Sequence, residues 1–265
     1  MKVALTLLIT LLAVNYAQAA VFVLNDLNSS ATIDSGTQAG QSAWVVDGKN
    51  YLGKQWFWYR VGPNGPEASI DTLPLAQSKL SDSNLNPGDD SLSLRYTGAG
   101  FDLDIVFLLT GGEANSQTSD LAESIKITNT SGAPLEFHFY QYVDLNLSPT
   151  DTVFFPNVNA VRQNDTGGIE VFETVVTPAG NHKEAKLVPQ TLNLLNDALP
   201  TTLDDSLGPV VGDVAWAWEW DMTIAPRSAL LISKDKHISL ENPPIPEPAT
   251  ISLLLLGCLA MLRRR

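Results

Sequence analysis

The sequence predicts an all-β protein: an antiparallel β-sandwich of about ten strands with one short helix, flanked by an N-terminal signal helix and a C-terminal transmembrane helix. Three observations carry that reading. Polar and apolar residues alternate with period two from Val21 onward, turn residues interrupt the alternation at short intervals, and only one body segment spaces its leucines as a helix would. Strands in such a succession pair antiparallel, because parallel pairing needs a long crossover between each pair.

The first element is residues 1–19, with Lys2 near the start, an apolar run from Val3 to Val14, and Ala17-Gln18-Ala19 at the end. This is the layout of a secretory signal peptide cut after Ala19, with Ala17 and Ala19 as the small residues of the cleavage site.

The body, residues 20–240, is expected to be one domain. "SAWVVDGKNYLGKQWFWYRV" reads as two strands around Asp47-Gly48, and "SLSLRYTGAGFDLDIVFLLTGG" as a hairpin turning at Thr97 to Gly100. Further turns are expected at Asn129 to Pro134, at Asp165 to Gly168 and at Ala225 to Ser228. Pro189 to Leu199 is the predicted helix, with a proline suited to the first turn and leucines at 192, 195 and 199, set across an open end of the sandwich. Ser81 to Asp90 and Gly111 to Asp120, rich in Ser, Asn, Gly and Asp, are predicted loops. The one cysteine, Cys258, lies outside the body, so the body has no disulfide and must rest on burial of its core.

After the body come a proline-rich stalk, residues 241–248, and an uncharged apolar run from Ala249 to Leu262 closed by Arg263, Arg264 and Arg265. At ~1.5 Å per residue that run is short for a hydrocarbon core of about 30 Å. Terminal arginines relieve the mismatch by laying their aliphatic stems in the interface and holding their charge on the cytoplasmic side. Pro246 and Pro248 keep the stalk extended and out of either neighbour. Pro246-Glu247-Pro248, then an apolar helix, then an arginine cluster, resembles the PEP-CTERM sorting signal of Gram-negative bacteria. The resemblance covers about the last 20 residues. It implies export across the inner membrane, transient anchoring by the C-terminal helix and processing by an exosortase-type membrane protease. Cell-surface or matrix residence with exopolysaccharide in a biofilm is also implied. Segments such as "QWFWYRVG", "YQYVDLNL" and "VAWAWEWD" look like parts of exported β-sandwich proteins that carry the same tail, a likeness that implies no activity.

Charge narrows the partners. Setting aside Lys2, Glu247 and the terminal arginines leaves 12 bases against 28 acids, a net charge near −16. Such a body repels phosphate, which excludes nucleic acid as a partner.

Catalytic motifs are missing from the linear sequence. His138, His182 and His237 show no His-Glu-x-x-His spacing, Gly-x-Ser-x-Gly is absent, and no phosphate-binding glycine loop occurs. His138 shares a strand face with Glu136 and Tyr140 and reads as a structural histidine, so no metal centre is expected from histidines. Asp82, Asn84, Asn86, Asp89 and Asp90 could offer oxygens to Ca2+, yet their spacing is no EF-hand and suits a solvated turn better. No other cofactor is implied. Carboxylates such as Asp102, Asp104 and Asp144 could serve a glycosidase only if the fold brought two of them together. Trp216, Trp218 and Trp220 share one strand face, as do Trp56 and Trp58. On a solvent face they would stack on sugar rings; on an inner face they are core. The expectation from these residues is a non-catalytic exported protein, with a carbohydrate-binding module as the alternative and a polysaccharide-degrading enzyme third.

Overall fold

The computed structural model describes residues 20–239. The signal segment with Ala17 and Ala19, the sorting tripeptide Pro246-Glu247-Pro248, the apolar run and Arg263 to Arg265 lie outside those residues. Among the described residues no helix is long and apolar enough to cross a membrane.

Eighteen strands build the body. In chain order they are β1 (Val21–Asp26), β2 (Ser29–Asp34), β3 (Gly40–Val46), β4 (Lys49–Asn50), β5 (Leu52–Val61), β6 (Ala68–Ser69), β7 (Leu75–Ser81), β8 (Ser91–Gly98) and β9 (Phe101–Gly111). There follow β10 (Ser119–Asn129), β11 (Leu135–Leu145), β12 (Asp151–Asn157), β13 (Ala160–Asn164), β14 (Glu170–Thr177), β15 (His182–Leu187), β16 (Val210–Gly212), β17 (Val214–Ile224) and β18 (Ala229–Ser239). Two nine-stranded antiparallel sheets result. The first runs β1-β2-β3-β5-β11-β17-β15, with β4 on β3 and β6 on β5; the second runs β16-β12-β13-β14-β18-β10-β9-β8-β7. The two sheets form a β-sandwich.

Part of the excess over the expected ten strands comes from β4, β6 and β16, which are only two or three residues long and too short to show a period of two. The turns at Asp47-Gly48, Thr97 to Gly100 and Asp165 to Gly168 join paired strands as the alternation predicts. Asn129 to Pro134 and Ala225 to Ser228 do something else: each carries the chain from one sheet to the other, β10 to β11 and β17 to β18. Asn129 fixes both corners, donating its side-chain amide to the carbonyls of Ala133 (2.8 Å) and Ile224 (2.9 Å).

The helix shrinks to α1 (Gln190–Leu194). It lies on the outer face of the first sheet rather than across an end: the Thr191 hydroxyl donates to Glu184 of β15 (2.5 Å), and the following loop carries Asn196 to the Trp58 indole (3.3 Å). Residues beyond α1, as far as Ser206, continue this roof. A roofed sheet is buried on both faces, which is why Val214 to Trp220 is an unbroken buried run and not an alternating one.

Between the sheets, Phe155 meets Trp218 edge-on at 5.1 Å and Phe57 meets Phe107 at 6.3 Å, so aromatic rings cross the interlayer. The middle of this interlayer also holds four charges. Glu123 of β10 and Glu173 of β14 face Lys234 and Lys236 of β18, all of them buried. Lys236 Nζ sits 2.7 Å from Glu123 and 3.3 Å from Glu173, and Lys234 contacts Glu123 directly. Gln141 Nε2 from the opposite sheet donates to Glu173 at 2.9 Å, and Gln55 donates to Glu123. Burial pushes both lysines below the ordinary lysine range, Lys234 the further because Lys236 stands beside it.

Candidate functional site: the outer face of the first sheet

Strand register brings distant residues together on this face. His138 of β11 lies directly across from Asp221 of β17, and Tyr140 from Glu219. On the far side of β17, His182 of β15 lies across from Glu219. Alternate residues of a strand share a face, so His138, Tyr140, Glu219, Asp221 and His182 form one patch over three neighbouring strands.

The roof meets this patch through hydrogen bonds. Leu203 N donates to Glu219 Oε2 at 2.7 Å, Asp204 N to Glu184 Oε2 at 3.1 Å and Thr201 N to Glu67 Oε1 at 2.9 Å. The Tyr140 hydroxyl, next to Glu219, donates to Thr201 O (2.9 Å), and buried Arg60 pairs with Glu67 at 2.9 Å. Three buried carboxylates thus hold the covering segment in place, each accepting a backbone amide at one of its oxygens.

Beyond the roof the patch meets solvent. His138 contacts Asp221 through Nδ1, and its Nε2 faces Glu136 at 3.5 Å. His182 Nδ1 pairs with Asp205 at 2.9 Å, its Nε2 stands 3.8 Å from Asp221, and its ring is 34% exposed. Asp205 is held in the left-handed region at φ 60°, a strained setting for a residue other than glycine. The Asp205 hydrogen bond raises the His182 pKa above the ordinary histidine value. Burial raises Glu219 to about 7, with Asp221 adding to the shift, and its Oε1 has no hydrogen-bond partner. A cavity of about 260 Å³ lined by Pro178, Ala179, Asn181, Trp220, Asp221, Met222 and Leu230 opens beside Asp221. Two imidazoles with carboxylate partners beside a buried carboxyl can exchange protons with a bound polyol and accept its hydroxyl hydrogens.

The tryptophans are placed otherwise than a sugar-stacking surface needs. Trp216, Trp218 and Trp220 point into the interlayer, and Trp56 and Trp58 lie on the outer face under the roof, where Trp56 Nε1 donates to Asp71 at 3.0 Å. All five are 0–1% exposed, so none offers an open ring face. Trp56 packs so tightly that a Cβ on Gly40, whose φ is +57°, would lie 2.3 Å from its ring. The Ser81 to Asp90 loop folds onto a buried carboxylate: Asn84 and Asn86 donate to Asp26 at 3.3 and 2.9 Å, and Asn84 to Asp90 at 2.6 Å. Asp102 and Asp104 share a face, as expected, and Asp104 pairs with Arg95.

No protein-family model and no curated protein matches the chain. Solved structures do match in fold. A Synechocystis sp. PCC 6803 protein aligns with a TM-score of 0.51 at 10% identity, over 88% of this chain and 100% of that one. An Escherichia coli protein proposed to be an aldose 1-epimerase aligns with a TM-score of 0.51 at 12% identity, over 84% of this chain and 99% of that one. A galactose mutarotase-like protein of Lactobacillus casei gives a TM-score of 0.45 at 9% identity, over 83% of this chain and 100% of that one. The two structures with a TM-score of 0.51 show a shared fold, and one of those two proteins is described as an aldose 1-epimerase. They correct the expectation of a non-catalytic body, which rested on missing linear motifs. Polar groups gathered by register from three strands leave no such motif.

Glu219, Asp221 and Asp205 are the site residues that sequence reasoning missed. A signal was present: in "WEWD" the acids Glu219 and Asp221 occupy the face opposite the tryptophans. Only the pairing of β17 with β11 and β15 turns that into a site.

Proposed function

We propose that the body binds a carbohydrate on the outer face of the first sheet and moves a proton on it, with His182 as the proton-transfer group. The observation that carries this reading is the His182–Asp205 pair at 2.9 Å, part-exposed, beside a carboxylate cluster that can hold sugar hydroxyls. A carboxylate partner fixes the imidazole and favours its charged form, as an acid–base histidine requires. For an aldose the proton in question is that of the anomeric hydroxyl, whose removal starts ring opening. The aldose 1-epimerase assignment of the E. coli fold relative agrees with this choice of substrate class. Anomer exchange of neutral and acidic aldoses, followed by NMR with and without the protein, tests it. Acceleration that is lost in His182→Asn and Asp221→Asn supports the assignment; no acceleration and no saturation transfer to any sugar of the panel overturns it.

We further propose that the protein reaches its substrate outside the cell. The signal segment 1–19 and the Pro246-Glu247-Pro248 tail support export, exosortase processing and retention near exopolysaccharide, which would supply the sugar. Changing the tripeptide to three alanines should leave the tail uncut. An unchanged mature mass in that variant refutes the sorting reading.

A further inference from the structure

We propose that His138, Glu219 and Asp221 bind one divalent first-row transition-metal ion, of the zinc or manganese class, to which sugar hydroxyls can coordinate.

One donor atom from each of the three residues lies within 4.8 Å of the other two. Ligands on a common ion at ~2.0–2.2 Å stand no more than about 4.4 Å apart. Small side-chain adjustments close that difference. One imidazole and two carboxylates make a mixed nitrogen and oxygen set, which suits zinc and manganese better than the all-oxygen ions calcium and magnesium. The donors come from paired strands: His138 is directly opposite Asp221, and Glu219 is two residues from Asp221 on the same face. Such a backbone holds ligand directions without help from loops.

A second observation points to a ligand here. Glu219 is fully buried, its Oε2 accepts the Leu203 amide, and its Oε1 has no partner. A buried carboxylate oxygen left without a donor is costly, and a cation is the counterpart it lacks. His138 has the surroundings of a metal ligand as well. Its Nδ1 contacts Asp221, while its Nε2 is buried without a hydrogen-bond partner and stands 3.5 Å from Glu136, near enough for that carboxylate to orient the ring once Nδ1 binds an ion. Three protein ligands leave coordination positions for two neighbouring hydroxyls of a sugar. His182, 3.8 Å from Asp221, then stands beside a hydroxyl acidified by the ion. The inference uses the site proposed above but does not depend on a sugar being its substrate.

The test is uptake of Co2+ and Zn2+ by the chelator-treated and dialysed protein, read by cobalt visible absorption and by calorimetry. One equivalent is expected. His138→Gln and Asp221→Asn should each weaken binding at least tenfold, and Glu136→Gln by about ten- to a hundredfold. His237→Gln, on the other sheet, should change nothing. Asp221 is 31% exposed, so its variant tests the site even where Glu219→Gln fails to fold. Uptake well below one equivalent, or equal affinity in the parent and Asp221→Asn, overturns the proposal. Sugar turnover that survives complete chelation also overturns it and leaves the carbohydrate reading intact. Metal uptake without any sugar response supports the ion and removes the carbohydrate reading.

Discussion

Glu123→Gln should destabilise the fold by about 3 kcal/mol, the lower end of the range for breaking a buried ion pair. Both oxygens of Glu123 are engaged, Oε1 with Lys236 at 2.7 Å and Oε2 with Lys234, at 2% residue exposure. Two lysines facing two glutamates balance in charge; removing one carboxylate leaves an excess positive charge among buried groups. The lower end applies because Lys234 already has a depressed pKa, chiefly from burial, and can shed its proton instead of staying charged. For a domain of this size ~3 kcal/mol corresponds to a fall in melting temperature of roughly 6–12 °C. The sign with pH follows. Loss of the carboxylate depresses the folded lysine pKa further than in the parent, so the deficit of the variant should shrink as pH rises through the parent's folded lysine pKa, itself below the ordinary lysine value, and be smaller at pH 10 than at pH 7. Thermal melts of parent and variant over that range measure it. Glu123→Met with Lys234→Met, which removes the charges together, should recover most of the loss. A single variant melting within 2 °C of the parent, or a double variant no better than the single, refutes the account.

Trp218→Ala should cost about 3–5 kcal/mol by opening a cavity between the sheets, measured by urea unfolding; a near-neutral result would mean that the ring is not core. His237 has a pKa raised first by its 2.7 Å hydrogen bond to Asp120, so its contribution is fully present below the ordinary histidine pKa and is lost as pH rises through the folded value. His237→Gln should therefore lower stability by about 1 kcal/mol at pH 5.5 and by less at pH 8.5, read from paired melts. Asp144 runs the other way: burial, with Asp213 nearby, raises it to about 6, so its charge opposes folding above that pH. Asp144→Asn should stabilise the protein by about 1–2 kcal/mol at pH 7.5 and change little at pH 4.

The layered β architecture was legible because alternation is a local signal, and burial of the three β17 tryptophans followed from setting them against Ala215 and Ala217 on the opposite face. Pairing was not legible. The corners at Asn129 to Pro134 and Ala225 to Ser228 carry the same turn residues as hairpins, yet they change sheets, a choice made by which strands bury best against each other. The roof was read as a helix across an end because its leucines, not its hydrogen bonds to Glu67, Glu184 and Glu219, were visible in sequence. Site residues failed for a related reason: Glu219 lies 79 and 81 positions from Tyr140 and His138 in the chain, and only register makes them neighbours.

The two sheet-changing corners have a consequence for how the chain can be divided. β11 and β17 lie side by side in one layer, and the strands flanking their corners, β10 and β18, lie side by side in the other. The middle of the molecule is therefore a double staple whose two prongs are about a hundred residues apart in sequence. A fragment ending before Val214 lacks one prong in each layer, and neither half of the body can be produced as an independent folding unit.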